Sequence, residues 1–292
     1  MPTEDSLACA RGFIALDSAF YAEHAASFSA TRSAPWQGWK RLAELLRELG
    51  GPWAGKDGEG ADGTPAAVHV LDLACGNLRF ERFLREAFSE MALAFHAYDN
   101  CPALMDDDAA TGRDGGLDVR FHKLDVLDAL LDRMDAESTA DVSAGGTEGP
   151  ILDAPPCALA ACFGFMHHVP GASLRRAVLD ELVGAATPGG VVAVSFWRFM
   201  DDPRLARRAR AADAAAAADP PFEGFSPAAL EPGDHFLGWQ DDQRPLRYCH
   251  HFCEEEIDEL AAAAAPRTRE VARFSADGAS GALNRYLVLE KV

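Results

Sequence analysis

Five short apolar runs alternate with helical stretches along the middle of the chain, and this alternation limits the fold more than any other feature. The runs are Val68–Leu73, Ala92–Tyr98, Asp118–Leu124, Ala158–Phe165 and Gly190–Trp197. Strands that alternate with helices are typical of a parallel sheet. The C-terminal stretch "VARFSADGASGALNRYLVLEKV" predicts two more strands joined by a Gly-rich turn. We therefore predict an α/β fold: a seven-stranded, mostly parallel sheet with helices on both faces and a C-terminal antiparallel hairpin.

Helical segments flank this alternating region. Residues 11–49 carry apolar side chains at helical spacing, and the second of two helices spans Gly38–Leu49. A linker rich in Gly, Pro and Asp leads to the first strand. After the fifth strand, "RLARRARAADAAAAADPP" favours a helix. We predict an N-terminal helical lid over residues 1–50, a main domain over residues 66–292 and, within it, a substrate-side insertion over residues 201–246.

The charge and the cysteines limit the cellular setting. The 292 residues include 46 acidic and 27 basic side chains, a net charge of −19. This charge opposes nonspecific nucleic-acid binding, although a local basic patch stays compatible with it. No apolar run reaches the roughly 18–20 residues that a membrane span needs, and the N-terminus lacks the pattern of a signal peptide. Seven scattered cysteines are typical of a reducing compartment, so we expect a cytoplasmic protein without a membrane partner.

The first strand runs into a turn with one glycine, "VHVLDLACGNLRF". A dinucleotide site needs several glycines so that backbone N–H groups can surround a pyrophosphate. Here the later glycine positions hold Leu78 and Phe80, so that fingerprint fails. The turn is therefore a damaged phosphate cradle, an ordinary core strand, or a loop for a ligand without phosphates.

Acidic residues at three successive strand ends favour the third interpretation. Asp72, Asp99 and Asp125 follow or end the first three strands, and ligands of open α/β sheets bind beyond these ends. S-adenosylmethionine lacks phosphate. It needs one close backbone approach at Gly76, an acid for the ribose and an acid or amide near the adenine. Each Asp alone could be a helix N-cap, but the three together with the loop predict S-adenosylmethionine as the cofactor.

Motifs across nearly the whole chain resemble the class I S-adenosylmethionine-dependent methyltransferases, a Rossmann-like fold. The matching blocks are "VLDLACGN", "YDN", "KLDVLD", "LAACFGFMHHVPG" and "ATPGGVVAVSFW". A narrower resemblance, to the tRNA wobble-uridine carboxymethyl methyltransferases, rests on "FYAEHAASFSATRSAPWQGW", "MHHVPGASLRRAVLDEL", "GDHFLGW" and "RYCHHFCEEEIDEL". It implies O-methylation of a carboxylate, on a modified wobble uridine of tRNA, and a small activating partner protein.

The resemblance also implies a set of site residues. On the acceptor side it implies His167, Arg247 and His250, with Arg247 suited to a carboxylate by its bidentate fork. Around the cofactor it implies Tyr21, Arg32, Asp72, Ala74, Gly76, Asn77, Asp99, Asn100, Asp125, Val126 and Phe163. The spacing in "RYCHHFC" does not match a zinc knuckle, so no metal is expected.

Two departures from the family leave other functions open. Leu78 stands where the family has a glycine, and the chain is acidic for a tRNA enzyme. The alternatives are a methyltransferase for a free small molecule, which the charge favours, and a catalytically silent cofactor-binding partner protein. The basic cluster "RLARRAR" is either a solvated helix face or a local patch that contacts phosphate.

Overall fold

A seven-stranded sheet organises the chain. The computed structural model describes residues 4–31, 34–54, 67–105, 117–139, 149–239 and 244–292. The longer helices are α1 (Glu4–Ala30), α2 (Gln37–Leu49), α3 (Arg79–Ala87), α4 (Val126–Thr139), α5 (Ala172–Ala185), α6 (Pro203–Ala218) and α7 (Glu254–Ala264). The strands are β1 (Val68–Leu73), β2 (Leu93–Asp99), β3 (Asp118–Lys123), β4 (Cys157–Cys162), β5 (Ala186–Trp197), β6 (Asp234–Leu237), β7 (Arg247–His250), β8 (Thr268–Ala276) and β9 (Asn284–Lys291).

The order of the main sheet is β3-β2-β1-β4-β5-β9-β8. The first five strands are parallel, whereas β9 is antiparallel to both β5 and β8. The predicted fold class is therefore confirmed. One boundary differs, because β5 begins at Ala186 rather than at Gly190: Cys157 pairs with Ala186 before a register shift.

Helices cover the sheet on both faces. On one face α4, α5 and α7 pack on apolar side chains that include Leu71, Tyr98 and Val194. On the other face α2 and α3 pack on Val70, Phe95 and neighbouring residues. Strands β2 and β4 are buried along their whole length, as expected for central strands of a parallel sheet with two covered faces. The carboxyl ends of the strands are left free of these helices.

A second, two-stranded sheet stands beside these carboxyl ends. Strands β6 and β7 pair antiparallel, with Asp234 opposite His250 and Leu237 opposite Arg247. Helix α6 packs on β6, and the N-terminal helix α1 packs on β7. The first helix therefore reaches across the open edge of the main sheet.

Among the described residues, no helix combines the length and the apolar character that a membrane span requires.

Candidate active site

One cavity of about 880 Å³ lies beyond the carboxyl ends of the parallel strands. Asp72, Asp99 and Asp125 all line it, so the three strand-end acids share one site as predicted. At the opposite end the wall includes His167, from the turn after β4, and Arg247, the first residue of β7. The other predicted site residues that line the cavity are Tyr21, Ala74, Gly76, Asn77, Asn100, Val126 and Phe163.

The loop after β1 has left-handed backbone at every second residue. The φ angles are 62° at Ala74, 56° at Gly76 and 57° at Leu78. A Cβ added to Gly76 would meet no atom within 4 Å, so this glycine faces open space in the cavity wall. Leu78 is almost fully buried and packs with Cys75 and Ala97. Its side chain therefore fills the core beneath the loop.

Asp99 holds this loop in place. Its Oδ2 accepts a hydrogen bond of 2.9 Å from the Gly76 N–H, and its Oδ1 accepts one of 2.8 Å from the Cys101 N–H. Burial raises the pKa of the Asp99 carboxyl, while these backbone hydrogen bonds lower it. Each oxygen keeps a second lone pair that can accept from a ligand hydroxyl.

Asp125 caps a helix and also lines the cavity. Its Oδ1 lies 3.2 Å from the N–H groups of Leu127 and Asp128 in the first turn of α4. Its Oδ2 accepts a hydrogen bond of 2.6 Å from the Asn100 amide, which also donates to Ser18 Oγ. The N-cap interpretation is thus correct for Asp125, and the cap stands at the site.

A second buried carboxyl lies behind Asp72. Glu81, in the first turn of α3, is fully buried beside Asp72, and neither of its carboxyl oxygens has a hydrogen-bond partner of normal geometry within the described residues. Burial, and then the neighbouring Glu81, raises the pKa of Asp72 well above its usual range. Burial also raises the pKa of Glu81 to about 7. Two buried carboxyls side by side therefore disfavour the state in which both are ionised. Sequence reasoning missed Glu81, whose only signal is an acid on the buried face of a helix.

A hydrogen-bonded chain lies in the cavity wall beside Arg247. His168 Nδ1 lies 2.7 Å from Asp17 Oδ2 and 2.9 Å from the Tyr248 carbonyl oxygen. Both are acceptors, so Nδ1 carries a hydrogen. His168 Nε2 lies 2.8 Å from the Tyr21 hydroxyl. Burial raises the pKa of Tyr21 to about 12, so the phenol keeps its proton. Asp17 was not predicted, although it is an acid within the apolar stripe of α1.

Arg247 is a buried cation among aromatic rings. Its Nη1 donates to the Tyr21 hydroxyl over 3.4 Å, and its side chain is about nine-tenths buried. The guanidinium carbon lies 5.1 Å from the ring centroid of Phe20 and 5.6 Å from that of Trp239. Within the described parts of the chain its Nε has no hydrogen-bond partner. A guanidinium in this position can bind a planar anion such as a carboxylate.

The donor atoms near His167 do not favour a metal ion. His167, His168 and Cys249 bring ligand atoms within 4.8 Å of one another. Both ring nitrogens of His168 already contact other groups. Burial raises the pKa of the Cys249 thiol far above its usual range, which opposes the thiolate that binds metals.

One predicted acceptor-side residue needs correction. His250 is fully buried and does not line the cavity: its Nδ1 lies 2.6 Å from Asp234 Oδ1 and its Nε2 lies 2.8 Å from Glu256 Oε1. Arg175 is also buried, and Glu231 Oε2 lies 2.9 Å from its guanidinium. His250 therefore links β7 to β6 and α7, and Arg175 links α5 to the segment just before β6. Arg32 lies outside the described residues.

Several cavity-lining residues were not predicted as site residues. The wall includes the aromatic side chains Trp36, Trp197 and Trp239 and two arginines of α6, Arg204 and Arg208. In the sequence, "RLARRAR" had two interpretations. The missing information was the position of α6 beside the mouth of the cavity.

Comparison with known proteins identifies the fold. No family model matches the sequence, and no curated protein matches it significantly. An S-adenosylmethionine-dependent methyltransferase from Methanosarcina mazei superposes with a TM-score of 0.51 at 14% identity, over 77% of this chain and 93% of that one. One from Clostridium acetobutylicum superposes with a TM-score of 0.50 at 9% identity, over 90% of this chain and 94% of that one. Together with the strand order, these matches show that the chain has the fold of the class I S-adenosylmethionine-dependent methyltransferases.

Proposed function

We propose that the protein is an S-adenosylmethionine-dependent methyltransferase that methylates a carboxylate oxygen. One observation carries the proposal: a single cavity joins the acidic strand ends to the buried guanidinium of Arg247. The first end suits a cationic, phosphate-free cofactor, and the second suits an anionic acceptor. A cavity with these two ends would bring the cofactor and the acceptor together in one site.

The residues at the strand ends fit S-adenosylmethionine. The open face of Gly76 lets backbone approach the ligand closely, and Asp72 would bind its ammonium group. Asp99 has lone pairs for the ribose hydroxyls, and Asp125 and Val126 would border the adenine. When bound, the cofactor supplies an electrophilic methyl group. The remaining members of the proposed donor site are Tyr21, Arg32, Ala74, Asn77, Asn100 and Phe163.

The acceptor end needs to orient a carboxylate rather than deprotonate it. A carboxylic acid is ionised at neutral pH, so no general base is required. Arg247 would bind the carboxylate, and His167 and Trp197 would border it, since both line the cavity and their rings pack on each other. Orientation and the exclusion of water then account for the rate.

Asp17, His168 and Tyr21 position Arg247. Asp17 accepts the Nδ1 hydrogen of His168, which leaves Nε2 as the acceptor for the Tyr21 hydroxyl. The Tyr21 oxygen is then turned to accept from Arg247 Nη1. Two residues one turn apart on α1, together with His168 from the turn after β4, would thus fix the direction of the guanidinium.

We further propose that the acceptor is a carboxymethyl group on a modified wobble uridine of tRNA. The four blocks that resemble that enzyme family support this acceptor, as do the aromatic walls, on which a base can stack. A free small-molecule carboxylate is the second candidate, favoured by the net charge of −19. The family resemblance also supports a small activating partner protein, and the seven free cysteines support a cytoplasmic location.

Radiolabelled methyl transfer into total tRNA, compared with transfer into a small-molecule extract, tests the proposal. We expect label in tRNA, a loss of cofactor binding in Asp99→Ala, and normal cofactor binding but at least tenfold lower transfer in Arg247→Gln. Arg176→Gln, which changes an exposed arginine, is the control. Cofactor binding without transfer to either acceptor pool would contradict the enzyme and favour a silent partner protein. Full cofactor affinity in Asp99→Ala would contradict the ribose contact.

A further inference from the structure

Helix α6 places two arginines on the wall of the cavity. Arg204 and Arg208 are one helical turn apart, and both line it beside Leu205. The start of the helix is fixed because Asp202 Oδ1 accepts hydrogen bonds of 2.9 Å from the N–H groups of Arg204 and Leu205. Arg207 and Arg210 belong to the same helix and are exposed, but they are not part of the wall.

These two side chains have no carboxylate partner within the described ranges. Other arginines do: Arg175 pairs with Glu231, Arg198 with Glu254, and Arg133 with Glu181. Arg207 and Arg210 also have no carboxylate partner within the described ranges, but they lie off the cavity wall, so it is their place in the wall that distinguishes Arg204 and Arg208. Two cations left available at a cavity mouth therefore indicate an anionic ligand.

Trp239 gives a second, independent indication of a ligand. It lines the same cavity, and its buried Nε1 has no hydrogen-bond partner among the residues described. A buried donor of this kind is ordinarily satisfied. An acceptor atom of a bound molecule would satisfy it.

We propose that Arg204 and Arg208 bind a phosphate group of the acceptor while Arg247 binds its reacting carboxylate. This inference rests on the proposed function and adds the class of acceptor: a nucleotide that carries a phosphate and a carboxylate. Two guanidinium groups one turn apart present several N–H donors, which suits the oxygens of a phosphate. The phosphate belongs either to an RNA chain or to a free nucleotide.

Matched double variants of α6 test this subsite. Arg204→Gln with Arg208→Gln changes the wall, and Arg207→Gln with Arg210→Gln changes the same charge on the same helix away from it. The probes are an RNA stem-loop with carboxymethyluridine in its loop, the corresponding nucleoside 5′-monophosphate, and the nucleoside. Fluorescence anisotropy and competition measure their binding to cofactor-loaded protein.

We expect the wall variant to weaken stem-loop binding about 10- to 100-fold. The slope of the logarithm of the binding constant against the logarithm of the salt concentration should fall by the amount that about two phosphate contacts contribute. The helix-face variant should change binding less than about threefold, and nucleoside and cofactor binding should stay unchanged in both. If the monophosphate also binds in a wall-dependent manner, the phosphate can come from a free nucleotide; if only the stem-loop does, it comes from RNA.

Equal losses in the two double variants, or no binding of either phosphate-bearing probe to the wild type, would overturn the subsite. Methyl transfer is scored separately. Wall-dependent binding without transfer to any probe would reject the proposed function and leave the phosphate subsite standing.

Discussion

Leu78 keeps a backbone conformation that glycine usually provides. A left-handed residue with a side chain costs about 1–2 kcal/mol, whereas burial of a leucine side chain stabilises by about 1.5–3 kcal/mol. The side chain of Leu78 is buried among Cys75, Ala97 and partly buried residues of β3. Packing therefore outweighs the strain, and the loop holds its shape with Gly76 as its one glycine. Ala74 has the same backbone strain without comparable packing.

Glycine substitutions at these two positions should have opposite effects on stability. Ala74→Gly relieves a positive φ and should raise the free energy of unfolding by about 0.5 kcal/mol. Leu78→Gly relieves the same strain but removes a buried side chain, and should lower it by about 1–3 kcal/mol. Urea denaturation measures both. A stabilising Leu78→Gly would show that strain, and not packing, dominates at this position.

At the scale of elements, α1 matters because it joins β7 to the turn after β4. Asp17 is the contact: its Oδ1 accepts a hydrogen bond of 2.7 Å from the Tyr248 N–H, and its Oδ2 contacts His168. Burial raises the pKa of Asp17, and His168 lowers it. One carboxylate thus couples three elements around Arg247.

Asp17→Asn should therefore impair acceptor use more than cofactor binding. We expect kcat/KM for the acceptor to fall about tenfold, since weaker hydrogen bonds hold His168 and Tyr21 less precisely. The dissociation constant of S-adenosylmethionine should change less than about twofold. Glu23→Gln, at an exposed position of the same helix, is the control. Equal loss of cofactor affinity would mean that Asp17 supports α1 as a whole.

Element order could be predicted from the sequence, but contacts between distant elements could not. The alternation of long apolar runs predicted the main sheet, because each central strand is buried on both faces. Strands β6 and β7 have four residues each, which is too few for an alternation of apolar and polar residues to be recognised. The strand-end acids follow visible strands, whereas the pairing of Tyr21 with Arg247 joins residues 226 positions apart. The predicted role of His250 failed because its carboxylate partners were unknown.

At the scale of the whole molecule, buried titratable groups should make stability depend on pH in opposite directions between about pH 4 and 7. Burial lowers the pKa of His251 to about 4, and burial also lowers the pKa values of His96 and His122. The stability that these neutral histidines contribute is fully present above the ordinary histidine pKa of about 6.5. It is lost as pH falls towards their pKa values in the folded protein. Glu81 has a raised pKa of about 7. Its contribution is present below about pH 4.5 and is lost as pH rises through about 7.

We therefore expect Glu81→Gln to gain stability relative to the wild type as pH rises from about 5 to 8, by on the order of 2 kcal/mol. The introduced amide is close in size to the carboxyl and does not ionise in this range. His251→Asn, whose amide oxygen can accept from the Met200 N–H as Nδ1 now does, should lose less stability between about pH 6.5 and 4. Denaturant unfolding across this range measures both. If the free energy of unfolding changed with pH in parallel for the wild type and both variants, Glu81 and His251 would not be the groups responsible.

Under the proposed function, much of the acceptor end would come, apart from α1 and the turn after β4, from one stretch between Trp197 and Arg247 that includes α6, β6 and the start of β7. The donor end comes from the strand ends of the first half of the sheet. Exchange of that single stretch between related chains would alter which molecule receives the methyl group while the donor end keeps its structure. Acceptor choice in this fold can therefore diversify through the recombination of one segment.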